Sequence, residues 1–105
     1  MYGIAQQPHA VCKLATHSRR LRVFGCSSLE LCYLANGVID ALVDLRGYLR
    51  MTDIAAGVLI ARGAGITVTD EGGANLNGVF DIGTRLNMVA APPPLHAEIM
   101  DLLLE

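Results

Sequence analysis

One aspartate, Asp53, stands where its carboxylate could hold a cation or lie beside an anion. It directly precedes a run of small and apolar residues (54–61) that closes on Gly63 and Gly65, and aspartate is a favoured residue at the start of a helix. The free N–H groups and the dipole of a helix N-terminus favour negative charge. The sequence therefore indicates either an ordinary capping aspartate or a carboxylate that binds Mg²⁺, a common partner of oxygen ligands.

A second candidate is the stretch from Gly25 to Ser28, where a short strand is expected to pass into a helix. Gly25 lets the backbone approach a ligand closely, and the N–H groups of Cys26, Ser27 and Ser28 are suited to a phosphate. An ordinary N-cap at Ser27 or Ser28 explains the same residues. Because no basic partner of Cys26 is evident, a packed thiol is expected there and not a nucleophile.

The remaining reactive side chains form no further pattern. Asp44 can supply a second carboxylate near Asp53, but the chain offers no additional acidic pair that would hold one or two ions for phosphoryl chemistry. His9, His17 and His96 are scattered through segments expected to be exposed, so no Ser/His/Asp or Cys/His pairing is indicated.

The elements that must position these residues follow from hydrophobic periodicity. Strands are predicted at residues 21–24, 38–45, 66–69 and 86–91, with another possible at 10–16 and a short edge strand at 79–81. Helices are predicted at 27–36, from Asp53 to the glycines, and after three prolines at 92–94. The helix from Asp53 is expected to be buried on every side, the strand at 38–45 to have one polar face, and residues 46–50 to form a loop. The order βαβαββα predicts an α/β fold with a mixed sheet covered by helices on both faces.

Composition limits the class of protein. A chain of 105 residues with 52% hydrophobic and 17% charged residues suits one α/β domain and argues against disorder. The net charge of -2 gives no electrostatic case for nucleic acid. No apolar run reaches the roughly 20 residues of a membrane span, and the first residues lack a signal peptide's pattern, so a cytosolic location is expected. The three cysteines contain no C-x-x-C pair and are expected to be buried and reduced.

Three segments together resemble one known family. They are R-V-F-G-C-S-S-L-E-L-C-Y-L-A-N-G-V-I-D-A (22–41), T-D-I-A-A-G-V-L-I-A-R-G-A-G (52–65) and N-M-V-A-A-P-P-P-L-H-A-E-I-M (87–100). They resemble the C-terminal half of the inositol monophosphatase family, and in particular the archaeal type that is also similar to fructose bisphosphatases. The resemblance covers most of the chain after about residue 20, in the family's own order and spacing.

The resemblance implies roles for individual residues. Asp53 falls on the aspartate of the family's W-D-x-A-A-G motif, which binds Mg²⁺ beside the phosphate and helps to orient the attacking water. Gly25 and Cys26 fall on the pair that faces the substrate phosphate and sugar, and Ser27 falls on the small residue that follows. Asp44 lies near the acidic residue that hydrogen-bonds substrate hydroxyls, in a loop that is longer here.

Two departures from the family pattern are visible. Thr52 replaces the usual tryptophan, and the D-P-I-D-G-T motif with its upstream metal-binding glutamate has no counterpart in the chain. The resemblance thus implies a single domain over residues 1–105, corresponding to the C-terminal, substrate-side part of a Mg²⁺-dependent phosphatase that hydrolyses small sugar or cyclitol phosphate monoesters. It also implies that the family's N-terminal metal-binding domain is not part of this chain, so weak Mg²⁺ binding and no activity are expected of the chain alone.

Two other functions stay open. An apolar face left bare by a missing domain would drive self-association into a dimer or larger oligomer. Alternatively, Gly25 to Ser28 with Arg20 and Arg22 could form a stand-alone phosphate-binding module.

Overall fold

The structure, a computed structural model, describes residues 8–21, 25–76 and 84–104. Within these ranges four helices and three strands follow one another along the chain. They are α1 (Pro8–His17), α2 (Ser27–Ala35), β1 (Leu42–Leu49), α3 (Met51–Gly63), β2 (Thr67–Thr69), β3 (Leu86–Ala91) and α4 (Pro93–Leu104). The three strands form one sheet in the order β1-β3-β2, and both pairings are antiparallel.

Strand β3 lies between the other two and divides its side chains between two cores. Met88 and Ala90 belong to a core that α2 and α3 cover, whereas Val89 and Ala91 belong to a core that α1 and α4 cover. All four are fully buried, as alternation along a covered strand requires. Helices therefore cover both faces of the sheet, which confirms the predicted α/β class. Within the described residues the sheet is antiparallel and not mixed as predicted, because β3 pairs antiparallel with both of its neighbours.

The expectation of a strand at residues 10–16 is wrong, because these residues lie in α1. Pro8 occupies the first helical position, where its missing N–H costs no hydrogen bond. Ala10 and Leu14 are spaced four apart, so both contact the core under α4. Of the strand predicted at 21–24, Leu21 lies outside any strand and residues 22–24 lie outside the described residues, as does the predicted edge strand at 79–81.

Strand β1 is displaced from its prediction at 38–45, and the predicted loop at 46–50 is wrong for residues 46–49. The strand continues because it contains an irregularity: Asp44 pairs with Met88 and Leu49 with Leu86, so β1 has extra residues between these pairs. Gly47 absorbs the bulge at φ +72. The predicted polar face is also covered, since the strand from Leu42 to residue 45 is buried throughout.

The other elements match their predictions closely. Strand β3 has the predicted bounds, β2 begins one residue later than predicted, and α2 ends at Ala35, just before Gly37 at φ +77. Residues 70–73 form a turn between β2 and the segment that follows, and the carboxylate of Asp70 accepts hydrogen bonds from the N–H groups of Gly72 and Ala74, each at 2.9 Å. Among the described residues, none of the helices is both long and apolar enough to cross a bilayer.

Candidate functional site

Helix α2 begins with an extended residue that follows a glycine in the left-handed region. Gly25 has φ +85, and Cys26 is the N-cap with φ -139 and ψ 104. No side chain caps the helix, so the prediction of an N-cap at Ser27 or Ser28 is wrong. The first N–H groups of a helix have no acceptor within the helix, and the N-cap side chain of Cys26 does not supply one. An external anion could therefore serve as their acceptor.

Helix α3 begins at Met51, two residues before Asp53, and not at Asp53 itself. Arg50 is the N-cap, again without a capping side chain, and Asp53 is the third helical residue. Aspartate favours the N-cap position, but here the helix starts earlier because Met51 is buried in the core, at 6% exposure. Met51 and Thr52 therefore precede Asp53 in the first turn of the helix. Asp53 still lies in the first turn, where a carboxylate interacts favourably with the dipole.

The Asp53 side chain is half exposed, and among the described residues Arg50 is the cation that it contacts. Its Oδ2 lies 3.2 Å from Nε of Arg50, and both side chains are about half exposed, at 50% and 49%. The N–H of Asp53 donates to the Arg50 carbonyl at 2.9 Å. Helix α3 is also less buried than predicted, because Leu59 and Ile60 are 75% and 52% exposed.

The starts of α2 and α3 lie against each other. Ser28 donates a hydrogen bond from its hydroxyl to the backbone carbonyl of Asp53. One turn further along, a Cβ at Gly57 would lie 2.9 Å from Cδ1 and 3.1 Å from Cβ of Leu31. The two helices therefore run side by side in the same direction, with the Gly25–Cys26–Ser27 turn and Asp53 at the same end. Two helix N-termini and one exposed carboxylate meet there.

Asp44 is placed differently from the other candidates. Its side chain is fully buried, and Arg46 contacts both oxygens, with Nε 3.1 Å from Oδ1 and Nη2 2.9 Å from Oδ2. The backbone N–H of Arg46 also donates to Oδ1 at 3.1 Å. The Arg46 guanidinium lies 5.5 Å from the centre of the Tyr48 ring. This carboxylate is covered in the present arrangement, and a substrate-binding role for it stays a prediction.

The described residues do not fit a complete magnesium site. They contain no group of three or more His, Cys, Asp or Glu side chains that could hold a metal ion. Mg²⁺ takes octahedral oxygen coordination, usually through one or two carboxylates with water and phosphate. This part of the chain offers Asp53 as one such carboxylate, and further protein ligands would have to come from elsewhere.

His96 and two of the cysteines do not lie where they were expected. His96 is buried at 9% exposure, and its Nε2 lies 2.7 Å from the Thr69 hydroxyl. The hydroxyl donates to the Asp70 carbonyl, so the ring nitrogen is the donor to Thr69. Burial lowers the pKa of His96 from its ordinary value. Cys12 and Cys26 are exposed, so the expectation of buried thiols is wrong for both, although all three cysteines are free as expected.

Sequence reasoning missed Ser28, Gly57, Arg50 and Arg46 as structural partners of the candidate site residues. Gly57 did carry a signal, because a glycine inside a helix costs about 1 kcal/mol relative to alanine and usually has a packing reason. The contacts of Ser28 carried none, since its acceptor is 25 residues away in sequence.

An α/β domain in which two helix N-termini bring a glycine turn and an exposed aspartate together suits a phosphate-handling protein. The family model of the inositol monophosphatase family matches residues 3–105. The chain belongs to the inositol monophosphatase family.

Curated relatives agree with this assignment. The chain is similar to fructose-1,6-bisphosphatase/inositol-1-monophosphatase of Archaeoglobus fulgidus, with 44% identity over 88 residues, which are 81% of this chain and 35% of the relative. It is 45% identical over 86 residues to the protein of the same name from Methanothermobacter thermautotrophicus, covering 81% of this chain and 31% of the relative. The chain thus spans about a third of the length of these curated relatives.

A solved structure shows the same fold. A hypothetical protein from Pyrococcus horikoshii with similarities to inositol-1 monophosphatase superposes with a TM-score of 0.80 at 43% identity, covering 89% of this chain and 36% of that one. The resemblance inferred from the three sequence segments is therefore confirmed at the level of family and fold.

Proposed function

We propose that this chain is the C-terminal, substrate-side part of a Mg²⁺-dependent phosphatase that hydrolyses small sugar or cyclitol phosphate monoesters. The observation that carries the proposal is the hydrogen bond from Ser28 to the Asp53 carbonyl, because it sets the Gly25–Cys26–Ser27 turn beside Asp53. The similarity to proteins named fructose-1,6-bisphosphatase/inositol-1-monophosphatase supports the substrate class.

The residues of the chain have separate parts in this proposal. The N–H groups that begin α2, after Gly25, bind the phosphate oxygens and orient the ester. Asp53 contributes one carboxylate to Mg²⁺, which supplies charge neutralisation at the phosphate and an activated water. Asp44 is proposed to bind substrate hydroxyls once Arg46 gives up one of its oxygens. A cytosolic location fits the three free cysteines, since thiols stay reduced there.

We further propose that the chain has no phosphatase activity by itself, because one carboxylate does not complete the metal site. With Mg²⁺ and either inositol monophosphate or fructose bisphosphate, we expect no turnover above that of the Asp53→Asn variant. Turnover that is robust and disappears in Asp53→Asn would show that the chain is a complete enzyme.

A chimera tests the substrate-side assignment directly. The matching 88 residues of the Archaeoglobus fulgidus relative are replaced by this chain's aligned residues, and hydrolysis of fructose bisphosphate is measured with Mg²⁺. We expect activity in the chimera and a loss of at least about 100-fold with Asp53→Asn, because an ion ligand near the phosphate contributes several kcal/mol to transition-state stabilisation. A folded but inactive chimera would contradict the proposal.

Self-association is the second candidate function, and a specific surface favours it. Leu59 and Ile60 are exposed on α3. Leu59 also lines a groove of about 320 Å³ whose walls are mainly apolar and include Met51, Ala55 and Leu76. Exposed apolar patches of this kind promote association. We propose that a second copy of the chain covers this face. Light scattering at high concentration should show a dimer that Leu59→Glu dissociates; a stable monomer counts against it.

A phosphate-binding module without catalysis is the remaining alternative. It uses the same α2 N-terminus, so titration of the chain with inorganic phosphate should shift the amide signals of Gly25, Cys26 and Ser27. If those shifts occur while the chimera is inactive, the binding role is the better description. Arg20 is described and exposed, whereas Arg22, its predicted companion, lies outside the described residues.

A further inference from the structure

Asp53 already has a cation of the chain's own against its carboxylate. Nε of Arg50 lies 3.2 Å from Oδ2 of Asp53, and the backbone N–H of Asp53 donates to the Arg50 carbonyl at 2.9 Å. Arg50 is the N-cap residue of α3, and its side chain does not cap the helix. The guanidinium is thus held at the mouth of α3 by the aspartate itself.

This arrangement is relevant to metal binding, because Asp53 is the described residue that is proposed to bind a divalent ion. A guanidinium at contact distance occupies one carboxylate oxygen and repels a second cation, so an incoming ion must displace it or tolerate it. By contrast, Arg46 holds a buried carboxylate, that of Asp44. The Arg50 pair is half exposed, so it can open at little cost.

We propose that Arg50 competes with divalent cations for the Asp53 carboxylate and thereby lowers the affinity of Asp53 for these cations. The inference rests on the proposed function in that it takes Asp53 as a metal ligand. Exposed ion pairs are weak, so the effect should be modest: removal of the guanidinium should tighten ion binding about two- to fivefold. Arg50 would then set the ion concentration that the site requires.

The full chain, labelled with ¹⁵N, is titrated with Mn²⁺, whose unpaired electrons broaden nearby amide signals even when binding is weak. The signals of Asp53 and Ile54 report on the site. Arg50→Gln is compared with Arg19→Gln, which changes the net charge equally at an exposed residue after α1. Asp53→Asn shows which part of the broadening depends on the carboxylate, and thermal unfolding verifies that each variant is folded.

We expect half-maximal broadening in Arg50→Gln at a Mn²⁺ concentration two- to fivefold lower than in the unmodified chain, with Arg19→Gln unchanged. Equal affinities in all three proteins, with broadening that Asp53→Asn abolishes, would overturn the competition by Arg50 and leave Asp53 as a metal ligand. Broadening that is absent at Asp53 in every protein, or that survives Asp53→Asn, would overturn the metal role of Asp53 and the inference with it.

Discussion

Ser28 donates its hydroxyl to the backbone carbonyl of Asp53, and this bond joins the first turns of two helices that are 25 residues apart in the chain. The acceptor is the main chain and not the carboxylate, so the bond fixes where Asp53 stands without occupying its side chain. Arg50 alone among the described residues contacts that side chain in an ion pair. Ser28 thus fixes the position of Asp53, whereas Arg50 neutralises the charge of its carboxylate.

Loss of the Ser28 hydroxyl should loosen the α2–α3 junction. We expect Ser28→Ala to lower the free energy of unfolding by about 1 kcal/mol, the usual contribution of one intramolecular hydrogen bond. Ser28→Thr keeps the hydroxyl and should retain most of the stability. Urea unfolding measures both variants, and the Asp53 amide shift should move in Ser28→Ala alone. Equal stability of all three proteins would show that the bond contributes nothing.

Two glycines in α3 provide a matched pair for the close approach of α2 and α3. Gly57→Ala places a methyl group 2.9 Å from Leu31, whereas a Cβ at Gly63 meets nothing within 4 Å. The first substitution should therefore destabilise the protein by about 1–3 kcal/mol through overpacking. Gly63→Ala should be neutral or stabilise by up to about 1 kcal/mol, since alanine is the better helix former. Thermal unfolding that ranked them in the opposite order would contradict the packing.

The buried Asp44 should be costly to leave without its cation. Arg46→Met removes the guanidinium and leaves a fully buried carboxylate, so we expect a loss of about 3 kcal/mol in the free energy of unfolding. Arg50→Met breaks an exposed pair and should cost less than about 1 kcal/mol. The double variant Asp44→Asn/Arg46→Met should be more stable than Arg46→Met. Urea unfolding at pH 7 measures the free energy of unfolding of each variant. A double variant no more stable than Arg46→Met would disprove the coupling between Asp44 and Arg46.

His96 should make the stability of the protein depend on pH. Burial lowers its pKa in the folded chain below the unfolded value of 6.5, so between the two values the unfolded chain binds more protons. Stability is therefore fully present above about pH 6.5 and falls as the pH drops through the unfolded pKa towards the folded one. His96→Gln should flatten this dependence between pH 7.5 and 5.5, measured by urea midpoints.

The local hydrophobic pattern predicts the bounds of an element correctly where apolar residues alternate or repeat without interruption. Strand β3 was predicted with its observed bounds because L-N-M-V-A-A is followed at once by prolines that stop it. Strand β1 was misplaced because Gly47 permits a bulge, which breaks the period of two on which the prediction relied. The start of α3 was misplaced because burial of Met51 outweighs the preference of Asp53 for the cap.

The candidate site was predicted as separate residues and not as an arrangement. Composition and motifs identified Gly25, Cys26, Ser27 and Asp53, and the structure sets these four at one end of two adjacent helices. Arg46 and Arg50 each pair with an aspartate two or three residues away in the sequence. The amino-acid sequence alone does not show whether such a pair is buried. Burial is a property of the assembled layers, and it decides that Asp44 is covered while Asp53 is half exposed.

The central place of β3 has a consequence for how the domain unfolds. Its successive residues Met88 and Val89 are anchored in different cores, so the strand cannot detach from one helical layer while staying packed in the other. Subglobal opening that exposes its amides should therefore require the whole domain to open. The amide hydrogens of β3 should exchange with solvent most slowly, at a rate that reports the global stability. A perturbation at α4 would then reach α2 and α3 through a shared cooperative unit, and this transmission requires no direct contact of α4 with either helix.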